Sequence, residues 1–177
     1  MKRVIDTVFA SIGLVLLSPC LLIVLIIIVL LEKKSPLFVQ ERLGRDKKVF
    51  QIYKLRTMLD GEITSLGKIL RKTGIDELPQ LVNILLGDMS FVGPRPLLEL
   101  DVVRLGWTGD YYVRRWSVRP GVTGLAQLGA RCHRKITWVY DRYYVENTSL
   151  CLEMKLLCLS VGVPFLGKSM VRKLVNR

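Results

Sequence analysis

An α+β, mainly helical domain carried on an N-terminal membrane helix is the architecture the sequence predicts. Three observations predict it. No residue from Thr7 to Leu31 is charged, and the segment is apolar almost throughout. Beyond it, one pair of short segments reads as a strand hairpin, and helical stretches account for most of the rest. The 177 residues are 50% hydrophobic, with 27 Lys and Arg against 15 Asp and Glu and a formal charge of +12. That composition excludes a disordered tail, a collagen-like fibre and a multidomain assembly, and leaves one membrane segment plus one compact basic domain.

The apolar segment follows Lys2-Arg3 and is longer than the apolar region of a secretory signal. It is followed by Glu32-Lys33-Lys34-Ser35-Pro36 rather than by a small-residue cleavage site, so it should stay attached. A straight helix of this length reaches roughly 37 Å, against roughly 30 Å of hydrocarbon. Basic residues flank both ends, so the positive-inside tendency assigns neither end to the outside. Ser18-Pro19 falls near the midpoint, where a break would leave two arms of about a dozen residues that enter one leaflet and return. The residues alone allow both a span and a re-entrant hairpin, and slightly favour the span, because proline is tolerated in spanning helices.

After the anchor, Ser35 to Val39 is extended, Arg42 to Lys48 is a charged turn, and Phe50 to Arg56 alternates as a strand. Together they predict a hairpin from Phe38 to Arg56 with Phe50, Ile52, Lys54 and Arg56 on one face. A short amphipathic helix runs from Leu66 to Leu70 into Arg71-Lys72-Thr73-Gly74. Asp76 to Gly87 reads as a second helix, which must begin near Asp76 because Pro79 fits only a first turn. Asp88 to Pro96 reads as a rigid irregular segment, Leu97 to Leu105 as helix, Trp107 to Trp116 as an aromatic segment, and Arg119 to Gly124 as a turn. The tail from Leu150 to Leu166 is apolar on most faces and ends in Lys168, Arg172, Lys173 and Arg177, a helix of the interfacial type. The predicted boundaries are 1–34 for the membrane helix and 35–177 for a single domain.

Four cysteines, Cys20, Cys132, Cys151 and Cys158, lack the paired spacing of a structural zinc site or a disulfide framework, and read as reduced thiols packed as small hydrophobes facing a reducing cytoplasm. The single histidine, His133, disfavours histidine triads and multi-histidine metal sites, and reads as a surface-loop residue. Neither a Walker A loop nor a Gly-x-Gly-x-x-Gly fingerprint is present, and Gly121 with Gly124 reads as turn chemistry.

Asp76-Glu77 is the sharpest candidate for chemistry. At a helix start both carboxylates would feel the positive end of the dipole and stay ionised, suited to attack on phosphorus or to holding a hard divalent cation. Taken alone the pair reads more readily as an N-cap and a first-turn charge than as chemistry. Its company changes that reading: Arg71 lies just before it, Arg95 is clamped between Pro94 and Pro96, and Lys54 and Arg56 project from the proposed strand. Cations that bind phosphate oxygens, grouped around ionised carboxylates, describe a phosphoryl site. Asp141 would orient one of these arginines or a substrate hydroxyl, or form a structural salt bridge. With an anchor and a basic apolar tail, the positive charge fits lipid and phosphate better than nucleic acid.

These motifs, in this order, resemble the monotopic phosphoglycosyl transferases, the bacterial sugar transferase family. The resemblance runs through Lys2-Arg3 with Asp6, Ser18-Pro19, Gln40 to Gly44, Tyr53 to Met58, Leu70 to Thr73, Asp76 to Leu81, Gly87 to Pro96, Arg119 to Gly124 and Tyr144 to Asn147. It implies a re-entrant membrane helix broken at Ser18 and Pro19, with both ends cytoplasmic at a bacterial inner membrane and the catalytic domain facing the cytoplasm. It also implies that Asp76 attacks the sugar-linked phosphate of a nucleoside diphosphate sugar, with uridine as the expected nucleoside. Polyprenyl phosphate, undecaprenyl phosphate in bacteria, would then take the phosphosugar from the aspartyl intermediate to begin exopolysaccharide, capsule, O-antigen or glycoprotein glycan assembly. Glu77, with Asp76, would hold Mg²⁺; Arg95 and Arg71 would bind phosphates; Lys54, Arg56 and Asp141 would lie near them. The implied partners are the sugar nucleotide, the polyprenyl phosphate and inner-membrane lipids, with a homodimer allowed and no nucleic acid. The chain departs from the family pattern in its short loop after Met58, in Leu125 and in Gly129-Ala130 before Arg131, which touches sugar choice more than chemistry. The rival reading is a non-catalytic basic membrane scaffold for polysaccharide assembly enzymes, with Asp76 as a helix cap only.

Overall fold

A computed structural model of the chain describes residues 2–129 and 134–175. It is mainly helical and divides into two compact units, one of residues 1–40 with 51–87 and the other of residues 41–50 with 88–177.

The first unit opens with α1 (Lys2–Glu32), long and apolar enough to cross a membrane. Most of its large apolar side chains, Val15, Leu16, Leu30 and Leu31 among them, are exposed. The break expected at Ser18 and Pro19 is not an interruption: a single helical element continues through Pro19. Proline has no N–H for the Val15 carbonyl four residues back, and the Ser18 hydroxyl donates to that carbonyl instead at 2.9 Å. Toward its C-terminal end α1 packs Ile28 against Leu55 and Leu70, with Leu21, Val24 and Leu25 around them. At its other end the Arg3 guanidinium donates to the carbonyls of Ile84 and Leu85.

The predicted hairpin is present as β1 (Leu37–Leu43) and β2 (Val49–Leu55), joined by a 3₁₀ turn at Arg45–Lys47. Phe50 and Ile52 are buried on one face as expected, but Leu55 is buried too, so the alternation ends before Lys54 and Arg56. The amide of Arg56 bonds to the Pro36 carbonyl, and its guanidinium donates to the carbonyls of Ser35 and Leu37 at 2.6 and 3.4 Å. Two-residue strands β3 (Met58–Leu59) and β4 (Glu62–Ile63) form a small antiparallel ribbon.

Next come α2 (Ser65–Thr73), capped by the Thr64 hydroxyl on the Gly67 amide, a 3₁₀ turn at Ile75–Glu77, and α3 (Gln80–Leu86). Asn83 of α3 is fully buried. Its Oδ1 accepts from the Tyr53 amide at 3.1 Å, and its Nδ2 donates to the Gln51 carbonyl at 2.6 Å. One side-chain amide thus satisfies β2 where a further strand would otherwise pair.

The second unit begins with β5 (Ser90–Val92) and α4 (Glu99–Leu105), followed by a 3₁₀ segment at Asp110–Ser117 and β6 (Gly121–Thr123). β5 and β6 pair in parallel, Ser90 with Gly121 and Val92 with Thr123, where the sequence suggested only an irregular segment and a turn. Three-residue strands flanked by proline and glycine leave no period to detect. Gly121 is required by this contact: a Cβ there would collide with the backbone of Gly93 and Val92. The glycine therefore serves backbone packing, not a phosphate cradle.

The unit ends in α5 (Leu125–Gly129), α6 (Arg134–Glu146), α7 (Leu150–Leu166) and α8 (Lys168–Val175). Val92, Leu125, Leu128, Tyr144, Leu156 and Val171 form one core; Leu43, Val102, Trp107, Trp116 and Trp138 form another. The Tyr144 hydroxyl lies 2.9 Å from both the Val92 carbonyl and a Glu153 carboxylate oxygen. Val161, Phe165 and Met170 stand exposed at the end of α7 and on α8. Cys20, Cys151 and Cys158 are free but exposed on the outer faces of their helices, not packed as expected. Cys132, His133, Ala130, Arg131 and Arg177 lie outside the described residues.

Candidate active site

The acidic pair is placed by how α2 stops. Gly74 adopts φ +78°, a left-handed conformation that ends the helix, and the chain turns at once into the 3₁₀ segment holding Asp76 and Glu77. Pro79 then caps α3 without a side-chain hydrogen bond. The pair therefore sits in a separate turn ahead of α3, not in its first turn as the sequence suggested. Asp76 is not an N-cap. Its residue is only 8% exposed, and among the described residues no other residue's group hydrogen-bonds its carboxylate.

Two cations come to this turn from neighbouring elements of the same unit. Lys54 at the end of β2 donates from Nζ to Glu77 Oε1 at 2.6 Å, the two side chains being 22% and 33% exposed. Arg71, in the last turn of α2, donates from Nε to the buried Thr57 hydroxyl at 2.9 Å. Both cations act electrostatically on Asp76. Arg56 does not join them, being tied to the carbonyls of Ser35 and Leu37.

The sequence suggested carboxylates held ionised by a helix dipole. The Asp76 carboxyl is instead pushed above the ordinary aspartate value, first by burial and then by the neighbouring Glu77 charge, while Lys54 and Arg71 work against the shift. A buried carboxyl with raised basicity and no hydrogen bond from another described residue, with cations beside it and a second carboxylate next in sequence, can attack an electrophilic phosphorus once deprotonated.

Arg95 and Asp141 belong to the other unit. Arg95 is exposed between the buried Pro94 and Pro96, and among the described residues its guanidinium has no hydrogen-bond partner. Arg42 is held below the usual arginine value by burial and then by the Arg95 charge, with Asp101 opposing. Asp141 is engaged by a partner the sequence did not single out: Arg115 Nε donates to its Oδ2 at 2.8 Å, with both side chains almost completely buried. A buried arginine leaves little trace in a sequence beyond its place among aromatic residues. Thr57 and Asn83, which hold Arg71 and β2 in place, were likewise not legible as site-supporting residues.

Among the described residues no group of three or more His, Cys, Asp or Glu is gathered into a metal cage. Mg²⁺ commonly uses one or two carboxylates and completes its shell with water and substrate phosphates. The consecutive carboxylates Asp76 and Glu77 fit that donor chemistry.

The description "bacterial sugar transferase" matches residues 1–167. An uncharacterized sugar transferase, EpsL of Bacillus subtilis (strain 168), is 40% identical over 91% of this chain and 85% of its own length. A UDP-glucose:undecaprenyl-phosphate glucose-1-phosphate transferase of Klebsiella pneumoniae is 34% identical over 95% of this chain, which spans 41% of that longer protein. The exopolysaccharide production protein PSS of Rhizobium leguminosarum bv. phaseoli is 35% identical over 89% of this chain and 91% of its own length. The chain belongs to the bacterial sugar transferase family and is a transferase enzyme.

Proposed function

We propose that the chain moves a sugar-1-phosphate from a UDP-sugar to undecaprenyl phosphate in two displacements at one phosphorus. The observation that carries this reading is the buried Asp76 carboxylate, hydrogen-bonded by no other described residue and flanked by Glu77, Lys54 and Arg71. In the first displacement an Asp76 oxygen bonds to the sugar-linked phosphorus. The bond from that phosphorus to the bridging oxygen breaks, and nucleoside monophosphate leaves with the electron pair. In the second, a phosphate oxygen of the lipid attacks the same phosphorus and the acyl phosphate bond breaks, returning Asp76 as carboxylate.

Arg71 and Arg95 are the proposed phosphate ligands, because charge concentrated on two phosphates must be offset before a carboxylate can approach. Mg²⁺, bound through Glu77 and Asp76, would supply further neutralisation of phosphate charge. The product would begin an exopolysaccharide or related surface glycan.

The test is a stalled first half-reaction. With UDP-glucose radiolabelled in the glucose and no lipid acceptor, label is expected on the peptide carrying Asp76, together with one equivalent of UMP. Continued product formation with acceptor and no label on that peptide would sink the two-step reading.

We also propose that α1 enters one leaflet and returns. Both ends of α1 meet the same unit, Arg3 on the carbonyls of Ile84 and Leu85 and Ile28 on Leu55 and Leu70, and basic residues flank both ends, which supports it. In a background with its four cysteines changed to serine, Lys2→Cys and Asp46→Cys are each expected to react only with reagent supplied from the cytoplasmic side. Labelling of Lys2→Cys from outside would restore a span.

A further inference from the structure

Arg115 is the most heavily committed cation among the described residues, yet nothing in the proposed chemistry uses it. It is 3% exposed. Its guanidinium carbon stands 4.8 Å from the ring centroid of Trp116 and 5.7 Å from that of Trp107. Nε donates to Asp141 Oδ2 on α6 at 2.8 Å, and Nη2 donates to the backbone carbonyl of Arg95 at 2.5 Å. Burying a guanidinium is costly unless its charge is paired and its donors are used, and here a carboxylate, a carbonyl and two indole faces meet that cost.

We propose that Arg115 is a positioning residue for Arg95, with Asp141 holding Arg115 in turn; the inference rests on the reading of Arg95 as a phosphate ligand. The backbone explains why such a device is needed. Pro94 and Pro96 fix their own φ angles, and Pro96 confines Arg95 to extended conformations. Within that range the peptide plane between Arg95 and Pro96 can still rock, and Pro96 carries no N–H by which the loop could be pinned. The remaining handle on that plane is the Arg95 carbonyl, and Arg115 holds it. Fixing the plane fixes the direction in which the Arg95 side chain leaves the loop, so its guanidinium is presented in one orientation at little further entropic cost.

Arginine is needed because two donors of one planar fork face two acceptors on different elements. A lysine can keep the ion pair with Asp141 or reach the carbonyl, but not both. Asp141, read from the sequence as a group near substrate, acts in this scheme through Arg115 and touches no substrate.

The experiment uses the full chain in membrane-mimetic detergent, with UDP-glucose as the binding probe and hydrogen exchange of the peptide covering residues 91–98 as a second readout. Arg115→Lys is expected to weaken UDP-glucose binding about tenfold, the size of one lost well-placed hydrogen bond. Exchange at the amides of Arg95, Leu97 and Leu98 should rise while that of α7 stays unchanged. In an Arg95→Ala background, Arg115→Lys should cost less than twofold more, because the residue it positions is gone. Asp141→Glu, which keeps both the counter-charge and an acceptor for Nε while shifting the guanidinium, serves where Arg115→Lys does not fold, and should show the same pattern at about threefold.

Unchanged exchange at these amides in a folded variant, or a full tenfold loss on top of Arg95→Ala, would overturn the proposal. Failure of the unmodified chain to bind UDP-glucose would count against the donor assignment alone, since the exchange readout still decides whether Arg115 orders the loop.

Discussion

Asp76→Asn is expected to reduce release of UMP from the sugar nucleotide by about a thousandfold or more, and to raise the thermal unfolding midpoint at pH 7. The two effects have one cause. The carboxyl is buried, lies beside Glu77 and titrates above the ordinary aspartate value, so the folded state binds its proton more tightly than the unfolded chain does. Its ionised form therefore opposes folding. The opposition is absent below the ordinary carboxylate range, grows as pH rises toward the raised folded value, and is constant above it. Asparagine has the same shape and no charge, so the stabilisation should be present at neutral pH and vanish in acid. A helix cap behaves otherwise: asparagine caps as well as aspartate, so activity and stability would both be nearly unchanged. Near-normal UMP release from Asp76→Asn with an unchanged unfolding midpoint would leave the scaffold reading standing, and a lower midpoint at pH 7 would refute the opposition of the buried charge to folding. A stabilising change that destroys activity is the usual signature of a group kept for chemistry at the expense of the fold.

How far the sequence could be read depended on how many residues each feature needs. The long apolar α1, the hairpin of β1 and β2, and α7 were legible because each repeats a pattern over several turns or pleats. The acidic pair was legible through charge and through the proline that limits where a helix can begin, but its environment was not. Whether Asp76 is exposed at a helix start or buried in a separate 3₁₀ turn depends on Gly74 turning left-handed after α2, and the sign of the carboxyl's shift follows from that burial.

The supporting polar residues were hidden for a related reason. Asn83 reads as one polar residue in an apolar helix until its amide is seen exchanging two hydrogen bonds with β2, and Arg115 is lost within an aromatic segment until Asp141 and two tryptophans are seen against it. Such residues act through partners distant in sequence, and no local period announces them. Arg56 illustrates the converse. Its spacing placed it with Lys54, but the strand ends at Leu55, and beyond a strand end side-chain alternation no longer governs direction.

Lys54→Met should move the acid limb of the pH–rate profile to higher pH and lower the rate by about tenfold at pH values below the limb, with recovery above it. Lys54 is one of two cations that hold the Asp76 carboxyl down against burial and Glu77. Removing it raises that carboxyl further, so a smaller fraction is ionised, and able to attack, at any given pH below the limb. Glu77 also loses its 2.6 Å partner and repels the ionised form of Asp76 with less compensation, which acts in the same direction. Stability should change little, because the Lys54–Glu77 pair is partly exposed and such pairs contribute about 1 kcal/mol or less. Lys54→Arg keeps the charge and should keep the limb near its original pH, even if the altered geometry lowers the maximum. A lysine that served only to bind phosphate would give a different result: KM for the donor would rise by the same factor at every pH, with the acid limb unmoved. That outcome would detach Lys54 from the ionisation of Asp76 and leave Arg71 as the cation that tunes it.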